Sequence, residues 1–224
     1  MRHTPSLERV RFERLDGTIV QPFEDCGLKL NGWDIPLPKP QLFNVDIDGR
    51  NGSLDMTEWA GMVFYEDRTI KINLRGYRKG VRLQKLYAMM GQRVKVTFSF
   101  DPDYYYQGRI TDMTPKESRA VVDVTMTIVC EPYKLRHRVT VVTQEIALAD
   151  TEYEMSLASA LMPVYPYFEA DAPSTVVYED VEYSVGNTPI QIPSLVLTTE
   201  EKQLIVMSET DSNELRVYFR DGEM

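Results

Sequence analysis

The histidines and cysteines are the residues in this sequence best able to bind a metal or attack a substrate. The 224 residues include two of each, His3, His137, Cys26 and Cys130. The cysteines are far apart, and neither has the CxxC or Cys-His spacing of a zinc site. We therefore expect both to be small buried side chains, and we predict no metal site and no thiol nucleophile.

Two pairs of carboxylates have the residue types of a glycosidase, in which one acid protonates the leaving group and the other attacks or activates water. They are Asp101 with Asp103, and Glu179 with Asp180. The first pair lies in a predicted turn, and the second lies in an acidic half where solvated carboxylates are common. No GxSxG, P-loop, GxGxxG or HExxH motif is present, and two histidines give a Ser-His-Asp site little to build on. The sequence thus predicts no catalytic residue, no cofactor and no enzyme.

Residues 44–55 partly match a calcium-binding EF-hand loop. Asp46, Asp48 and Gly49 stand at ligand or turn positions, but Asn44 and Asp55 replace the usual acids at the two ends. Helices flank an EF-hand loop, whereas a proline-rich arm precedes this one. We therefore predict a strand that ends in a glycine-rich turn.

The segment around which the first half is organised is a predicted hairpin at residues 94–111. Apolar residues alternate with polar ones from Val94 to Phe100, Asp101-Pro102-Asp103 supplies turn chemistry, and residues 104–111 return as a second strand. Tyr104, Tyr105 and Tyr106 are consecutive, so their rings lie on both faces of that strand. At least one ring is expected outside the core, where it would suit a protein contact.

The other elements of the first half are predicted to be short strands, one extended arm and one helix. Pro36, Pro38 and Pro40 cannot donate to a sheet ladder, so the segment from Trp33 to Pro40 is predicted to be extended. The predicted strands cover residues 10–15, 27–30, 70–74 and 120–130, the last ended by Pro132. The predicted helical face consists of Leu83, Leu86, Tyr87 and Met90, followed by Gly91 as the stop.

The second half is predicted to be an antiparallel sandwich of short strands separated by turns. The strand candidates are residues 139–142, 164–168, 175–178, 183–185, 195–198, 204–207 and 215–219, and residues 153–162 are a candidate short helix. We place the boundary near residues 135–138, giving domains of residues 1–136 and 137–224.

Charge separates the two halves further. The chain is 43% hydrophobic and 26% charged, as in globular proteins, and its net charge is -9. Residues 145–224 hold 16 acids against Lys202, Arg216 and Arg220, giving -13, whereas residues 1–144 carry +4. This acidity disfavours nucleic-acid binding by the second half. The basic residues Arg75, Arg78, Lys79, Arg82 and Lys85 of the first half suit a solvated face or a subunit contact.

Neither a membrane span nor a secretory leader is expected, because no 18-residue apolar run and no basic-then-apolar start is present. The protein is therefore expected to be made in the cytosol and kept there or assembled from it.

Several segments form a characteristic series when they are taken in order. The first is Gly-Trp-Asp-Ile-Pro at residues 32–36, with Pro38 and Pro40. The others are residues 45–55, 73–74, 91–96, 101–109 and 130–134, together with the closing strand, turn and strand of residues 195–224. In their order and spacing, these segments resemble the distal tail protein family of long-tailed bacteriophages, often called Dit. Residues 143–162 do not resemble the family.

The resemblance implies a mainly β protein, with an N-terminal β-sandwich that carries one helix and a C-terminal galectin-like β-sandwich. It implies a homo-hexameric ring at the tail tip of the virion, assembled in the bacterial host cytoplasm. Expected partners are the tail tube protein, the tape measure protein, and tail-associated fibre, lysin or baseplate proteins. Neither catalysis nor sequence-specific nucleic-acid binding is implied.

A closed ring joins two different patches of each subunit, so one side needs a protruding element. Our hypothesis is that the proline arm and the tyrosine hairpin supply it. The candidate interface residues are Trp33, Pro36, Pro38, Pro40, Tyr104, Tyr105, Tyr106 and Arg109.

The alternative function is a carbohydrate- or cell-wall-binding module that recognises a cell-surface glycan, since galectin-like sandwiches often bind sugars through exposed aromatic rings. The second half has no tryptophan. Its tyrosines are Tyr153, Tyr165, Tyr167, Tyr178, Tyr183 and Tyr218. An enzyme is the third possibility.

Overall fold

A computed structural model of the chain describes residues 8–59 and 61–224. Strands dominate, and the chain divides into two compact units. The first unit reaches Lys134, and the second runs from Leu135 to Glu223. The sequence predicts the division after residue 136, which is the last residue of the strand Val121–Arg136. Within the described residues, no helix is long and apolar enough to cross a membrane.

The first unit is built on one antiparallel sheet with the strand order β2-β1-β7-β8-β9-β6-β3. Strands β4 and β5 form a separate two-stranded sheet. The elements are β1 (Val10–Arg14), β2 (Ile19–Val20), α1 (Pro22–Cys26), β3 (Lys29–Asp34), β4 (Asn44–Val45), β5 (Leu54–Asp55), β6 (Arg68–Tyr77), α2 (Gln84–Tyr87), β7 (Arg93–Phe98), β8 (Asp101–Glu117) and β9 (Val121–Arg136).

The alternating strands bury one face each, as their sequences predict. Every second residue of β6 is buried, including Ile70, Ile72 and Leu74. Strand β9 likewise buries alternate residues from Val122 to Cys130, although Ala120, which the prediction placed on this face, is exposed. These side chains form one core with Phe12, Leu28, Leu86 and Phe98. The mainly β fold of the prediction is confirmed.

Helix α1 was not predicted, because it has only five residues. Pro22 stands in its first turn, where a missing N–H costs nothing. Asp25 accepts a hydrogen bond from the Gln21 amide (2.8 Å), and Gly27 ends the helix with a left-handed φ of 70°. The amide of Leu28 donates to the Pro22 carbonyl (2.9 Å), which completes the cap. The described residues of the first unit therefore form two short helices instead of one.

The predicted face of the second helix is wrong at two positions. Leu86 and Met89 are buried, whereas Tyr87 and Met90 are exposed. Helix α2 is one turn long and continues into bonds between residues three apart, from the Met89 amide to the Leu86 carbonyl and from the Met90 amide to the Tyr87 carbonyl. This tighter winding places residues at a spacing of three on one face, instead of the alternating three and four of an α-helix.

The predicted hairpin is present, but its turn comes earlier than expected. Phe98 pairs with Asp101, so Ser99 and Phe100 form the turn, and Phe100 is exposed instead of buried. A register shift between Val96 and Phe98 changes the pairing just before the turn. Pro102 lies near the start of β8, a position that tolerates a missing N–H.

Pro132 does not end its strand, contrary to the prediction. Strand β9 continues to Arg136, and its pairing with β6 stops at the pair of Arg68 and Cys130. Pro132 therefore lies beyond the ladder with β6, where it interrupts none of that ladder's hydrogen bonds.

The second unit contains two four-stranded antiparallel sheets with the orders β10-β17-β12-β15 and β11-β16-β13-β14. Buried residues such as Ile146, Phe168, Val206 and Val217 form its core. The elements are β10 (Thr140–Ile146), β11 (Tyr153–Leu157), β12 (Tyr167–Ala170), β13 (Ser174–Tyr178), β14 (Val181–Val185), β15 (Ile190–Gln191), β16 (Lys202–Ser208), β17 (Asn213–Phe219) and β18 (Gly222–Glu223).

Two predictions for the second unit are wrong. Residues 153–162 hold strand β11 instead of a helix, because Met155 and Leu157 are buried two residues apart and pair with β16. Residues 195–198 form no strand; Leu197 makes a single bridge to Val164.

Gly108 on β8 packs directly against β9, which gives a test of the first unit. A Cβ at this position would lie 2.4 Å from the Val129 carbonyl oxygen and 2.6 Å from the Cys130 sulfur. We expect Gly108→Ala to lower the free energy of unfolding by about 2 kcal/mol or more, since backbone must shift to admit the methyl group. Denaturation followed by tryptophan fluorescence measures it, because Trp33 and Trp59 both belong to this unit.

Gly32→Ala is the matched control. Its added Cβ would meet only the Asn73 side chain, at 3.9 Å. The control is expected to change stability by less than about 1 kcal/mol. Equal effects of the two substitutions would contradict the close packing of β8 on β9.

Candidate interaction surfaces

The residues with the chemistry of a metal or nucleophilic site form no metal-binding group in the described part of the chain. Cys26 and Cys130 are free and buried, as predicted. The backbone carbonyl of His137 accepts a hydrogen bond from Arg220 (2.8 Å), and His3 lies outside the described residues. Among residues 8–59 and 61–224, no group of three or more His, Cys, Asp and Glu side chains could hold a metal ion.

The two carboxylate pairs occupy structural positions. Asp101 forms an ion pair with Lys134 (2.9 Å). Glu179 and Asp180 form the two-residue turn between β13 and β14, with φ values of 52° and 61°. Positive φ at both positions is the geometry of the type I′ hairpin turn. The second pair therefore shapes a turn between two strands.

A stack of aromatic rings connects the first unit's surface with its core. Trp33 stacks on Phe100 with 4.9 Å between ring centroids, and Phe100 stacks on Phe98 at 5.0 Å. Phe98 meets the edge of Tyr106 at 6.1 Å, and the Arg68 guanidinium lies over the Tyr106 ring at 5.2 Å. The sheet therefore curls so that β3 returns to the tip of the β7–β8 hairpin. Trp33 and Tyr106, both candidate interface residues from the sequence, are joined through Phe100 and Phe98, which were not among the candidates.

The three consecutive tyrosines lie on both faces of β8, but none of them is exposed. Tyr106 belongs to the core, and Tyr105 is 4% exposed, with the Lys95 ammonium over its ring at 5.3 Å. Tyr104 is partly buried under the Lys134 ammonium, at 4.4 Å. Tyr104 lies outside the core, as expected for at least one of the rings. Lysine side chains cover Tyr104 and Tyr105, however, so neither offers an exposed ring for a protein contact. The exposed ring of this hairpin is Phe100.

Arg109 lies at the other end of the hairpin from Phe100. It pairs with Arg93, and its Nη1 donates to the Gly91 carbonyl oxygen (2.6 Å). It is therefore not part of the aromatic stack.

The predicted arm from Trp33 to Pro40 starts too early, because Trp33 and Asp34 belong to β3. In the structure the arm is the segment between β3 and β6, residues 35–59 and 61–66. Its ends are joined by a bridge between Pro40 and Tyr65, and its outer part is the β4–β5 hairpin. The near match to an EF-hand loop falls in this hairpin, so no helices flank it. Pro36 and Pro40 are exposed, whereas Pro38 is buried.

The arm exposes apolar side chains instead of burying them. Leu37, Leu42 and Trp59 are 73%, 70% and 68% exposed. The other exposed apolar residues of the arm are Phe43, Val45, Ile47 and Phe64. Of the arm's hydrophobic residues in the described part, Ile35 packs against the core of the first unit. Seven exposed apolar side chains in one segment are more than a solvated loop needs, and such exposure is typical of interaction sites.

In the second unit, three of the six tyrosines come together on one sheet face. Tyr165, Tyr167 and Tyr218 line a groove of about 980 Å³. Tyr178 is buried, and Tyr183 donates to or accepts from Ser194 at 3.2 Å, on the other sheet. Sequence spacing does not reveal this grouping, because it depends on strand pairing.

Comparison with known proteins finds a likeness of fold. No protein-family model matches the chain, and no curated protein does. Among solved structures, the chain is similar to the crystal structure of SPP1 Dit (gp 19.1), described as a paradigm of the hub adsorption apparatus in phages that infect Gram-positive bacteria. The TM-score is 0.63 and the identity 14%, over 94% of this chain and 98% of that chain. The chain therefore has the fold of a Dit protein, as the sequence motifs predict.

Burial makes the thiols unreactive, which gives a second test. Burial raises the pKa of Cys130 to about 12 and also raises the pKa of Cys26. Since the thiolate is the nucleophile, we expect Cys130 of the native protein not to react with a disulfide reagent below its pKa. Cys26 should react more slowly in the native protein than in concentrated guanidinium, where both thiols react. The unfolded state loses these protons above the ordinary value of 9.0, so native stability should fall as pH rises from there toward 12. Rapid modification of the native protein would contradict the burial.

The contact between Trp33 and Phe100 gives a third test. A double-mutant cycle with Trp33→Ala and Phe100→Ala should show a coupling of about 0.5–1.5 kcal/mol in denaturation followed by circular dichroism. The matched cycle with Trp59→Ala and Phe100→Ala should be additive within about 0.5 kcal/mol. Equal couplings in the two cycles would mean that the stack is not formed in solution.

Proposed function

We propose that this chain is a structural distal tail protein, the hub of a phage or prophage tail. Six copies form a ring that joins the tail tube to the tail-tip, baseplate or receptor-binding apparatus. The observation that carries the proposal is the likeness of fold to a hub adsorption protein over nearly the whole of both chains. The ordered sequence motifs of residues 32–134 support it independently.

The arm supports a contact between copies. A two-stranded ribbon alone is marginally stable in water, and this one has most of its apolar side chains in solvent. Packing the arm on another molecule would bury that surface. A closed ring joins two different patches, and a protruding ribbon can serve as one of them.

The opposite end of the sheet supplies a candidate for the second patch. The arm follows β3, which is one end of the strand order, whereas β2 is the other end. Leu15 and Ile19, in and beside the β1–β2 turn, are 63% and 44% exposed. We assign the β1–β2 hairpin as the surface that receives the arm of the neighbouring copy.

The proposal assigns a role to each domain. Residues 1–136 form the ring, and residues 137–224 form the galectin-like domain that meets peripheral proteins. The partners are the tail tube protein, the tape measure protein, and fibre, lysin or baseplate proteins. The protein works in the virion tail tip after assembly in the host cytoplasm, and this role requires neither catalysis nor a cofactor.

The mass of the purified protein tests the proposal. Light scattering over a concentration series should show a species of about six times 25.9 kDa, visible as rings in negative-stain images. The double variant Leu42→Ser, Trp59→Ser should shift the protein to monomer, because it removes two of the most exposed apolar side chains of the arm.

Tyr77→Ser is the control for this experiment. Tyr77 is 76% exposed on β6, outside the arm, so its loss should leave the hexamer unchanged. A strict monomer at every concentration would contradict self-assembly into a ring. A hexamer that survives the arm substitutions would contradict the assignment of the arm.

A further inference from the structure

The tyrosine-lined groove of the second unit lies on the outer face of the sheet β10-β17-β12-β15. Strand pairing sets Val141 beside Tyr218, Tyr218 beside Tyr167, and Tyr167 beside Gln191, which makes one row across four strands. Residues on this face alternate with buried core residues such as Phe168 and Val217, so the row points away from the core. The groove is therefore built by the register of the sheet.

Aromatic rings dominate one end of this face. Tyr165 and Tyr167 are 54% and 48% exposed, and Val139 and Val141 extend the apolar surface beside them. Tyrosine combines an apolar ring with a hydrogen-bonding hydroxyl, so such a surface suits a ligand that has both kinds of groups.

Hydrogen-bonding groups border the rings. The Tyr218 hydroxyl donates to Glu169 Oε2 (2.6 Å), and this bond raises the pKa of Tyr218. Among the described residues, Glu169 Oε1 has no hydrogen-bond partner. In the next row, Arg216 binds Glu214 (2.7 Å) and Asp171 (2.9 Å). A ligand on the tyrosines would thus have Glu169 and Gln191 within the same groove.

We propose that this groove binds a neutral oligosaccharide chain. The apolar faces of the sugar rings stack on Tyr165 and Tyr167, and their hydroxyls bond to Glu169 and Gln191. An open groove of about 980 Å³ is at the upper end of small-ligand sites, so it accommodates several sugar units. The inference does not rest on the ring, since every lining residue belongs to the second unit.

Charge selects a neutral saccharide. Residues 145–224 carry -13. Within the groove, Glu169 and Arg220 balance each other, and Arg216 on the same sheet face is paired with Glu214 and Asp171. The groove therefore has no net positive charge with which to attract phosphate-bearing or uronic polymers, and the acidic unit as a whole repels them. The same repulsion disfavours a second copy of this acidic unit as the occupant.

The experiment uses the full chain on an array of neutral and anionic oligosaccharides, followed by calorimetric titration with the neutral oligosaccharide that gives the strongest response. Tyr167→Ala is expected to weaken binding about tenfold or more, which corresponds to about 1.4 kcal/mol. Tyr218→Phe keeps the ring and removes the hydroxyl, so it should change affinity less than Tyr167→Ala does. Tyr77→Ala, an exposed tyrosine in the other unit, is the control and should leave affinity unchanged.

Each outcome decides the inference. Binding of a neutral oligosaccharide that Tyr167→Ala weakens and Tyr77→Ala does not would support it. No binding to any neutral glycan, preference for anionic glycans, or equal binding by wild type and Tyr167→Ala would overturn it. Self-association that Tyr167→Ala abolishes would assign the groove to a second copy and also overturn it. Circular dichroism of each variant confirms folding before the comparison.

Discussion

The burial of one guanidinium group sets the constraint on which the first unit depends. Arg68 is 3% exposed, and burial lowers its pKa. Its Nη2 donates to the Pro132 carbonyl, its plane lies near the Tyr106 ring, and its Nε has no hydrogen-bond partner among the described residues. A buried cation without a carboxylate is costly, so the carbonyl and the ring must be held in place to offset that cost. Arg68 thereby ties the start of β6 to β8 and to the end of β9.

The aromatic stack extends this constraint to the surface. Tyr106 contacts Phe98, Phe98 contacts Phe100, and Phe100 contacts Trp33. Trp33 and Asp34 are the last residues of β3, immediately before the arm. The arm therefore starts from a strand fixed to the core, while its apolar side chains remain in solvent. A fixed start limits the directions in which the arm can extend, which lowers the entropy lost when it packs on another surface.

Local pattern predicted those parts of the fold that local forces determine. The alternation along β6, β7 and β9 placed their buried faces correctly, because a strand's period does not depend on its neighbours. The turn position of Phe100 depended instead on the register between β7 and β8. Pro132 could remain within β9 because the pairing with β6 stops before it. The groove could not be predicted, since Tyr167 and Tyr218 meet only through strand pairing. The Dit-like fold was predicted from ordered motifs. The exposure of the arm's apolar side chains, in contrast, was found only in the structure.

The packing of Gly108 against β9 also affects how readily Cys130 can be oxidised. The space beside the Cys130 sulfur is so confined that a single added carbon at Gly108 would lie 2.6 Å away. Sulfenic and sulfinic acids need room for oxygen atoms on that sulfur, and the folded sheet provides none on this side. We therefore expect Cys130 to be oxidised mainly before the sheet has folded. A particle that carries the folded chain through an oxidising environment would keep this thiol in the state it had when β8 closed over it.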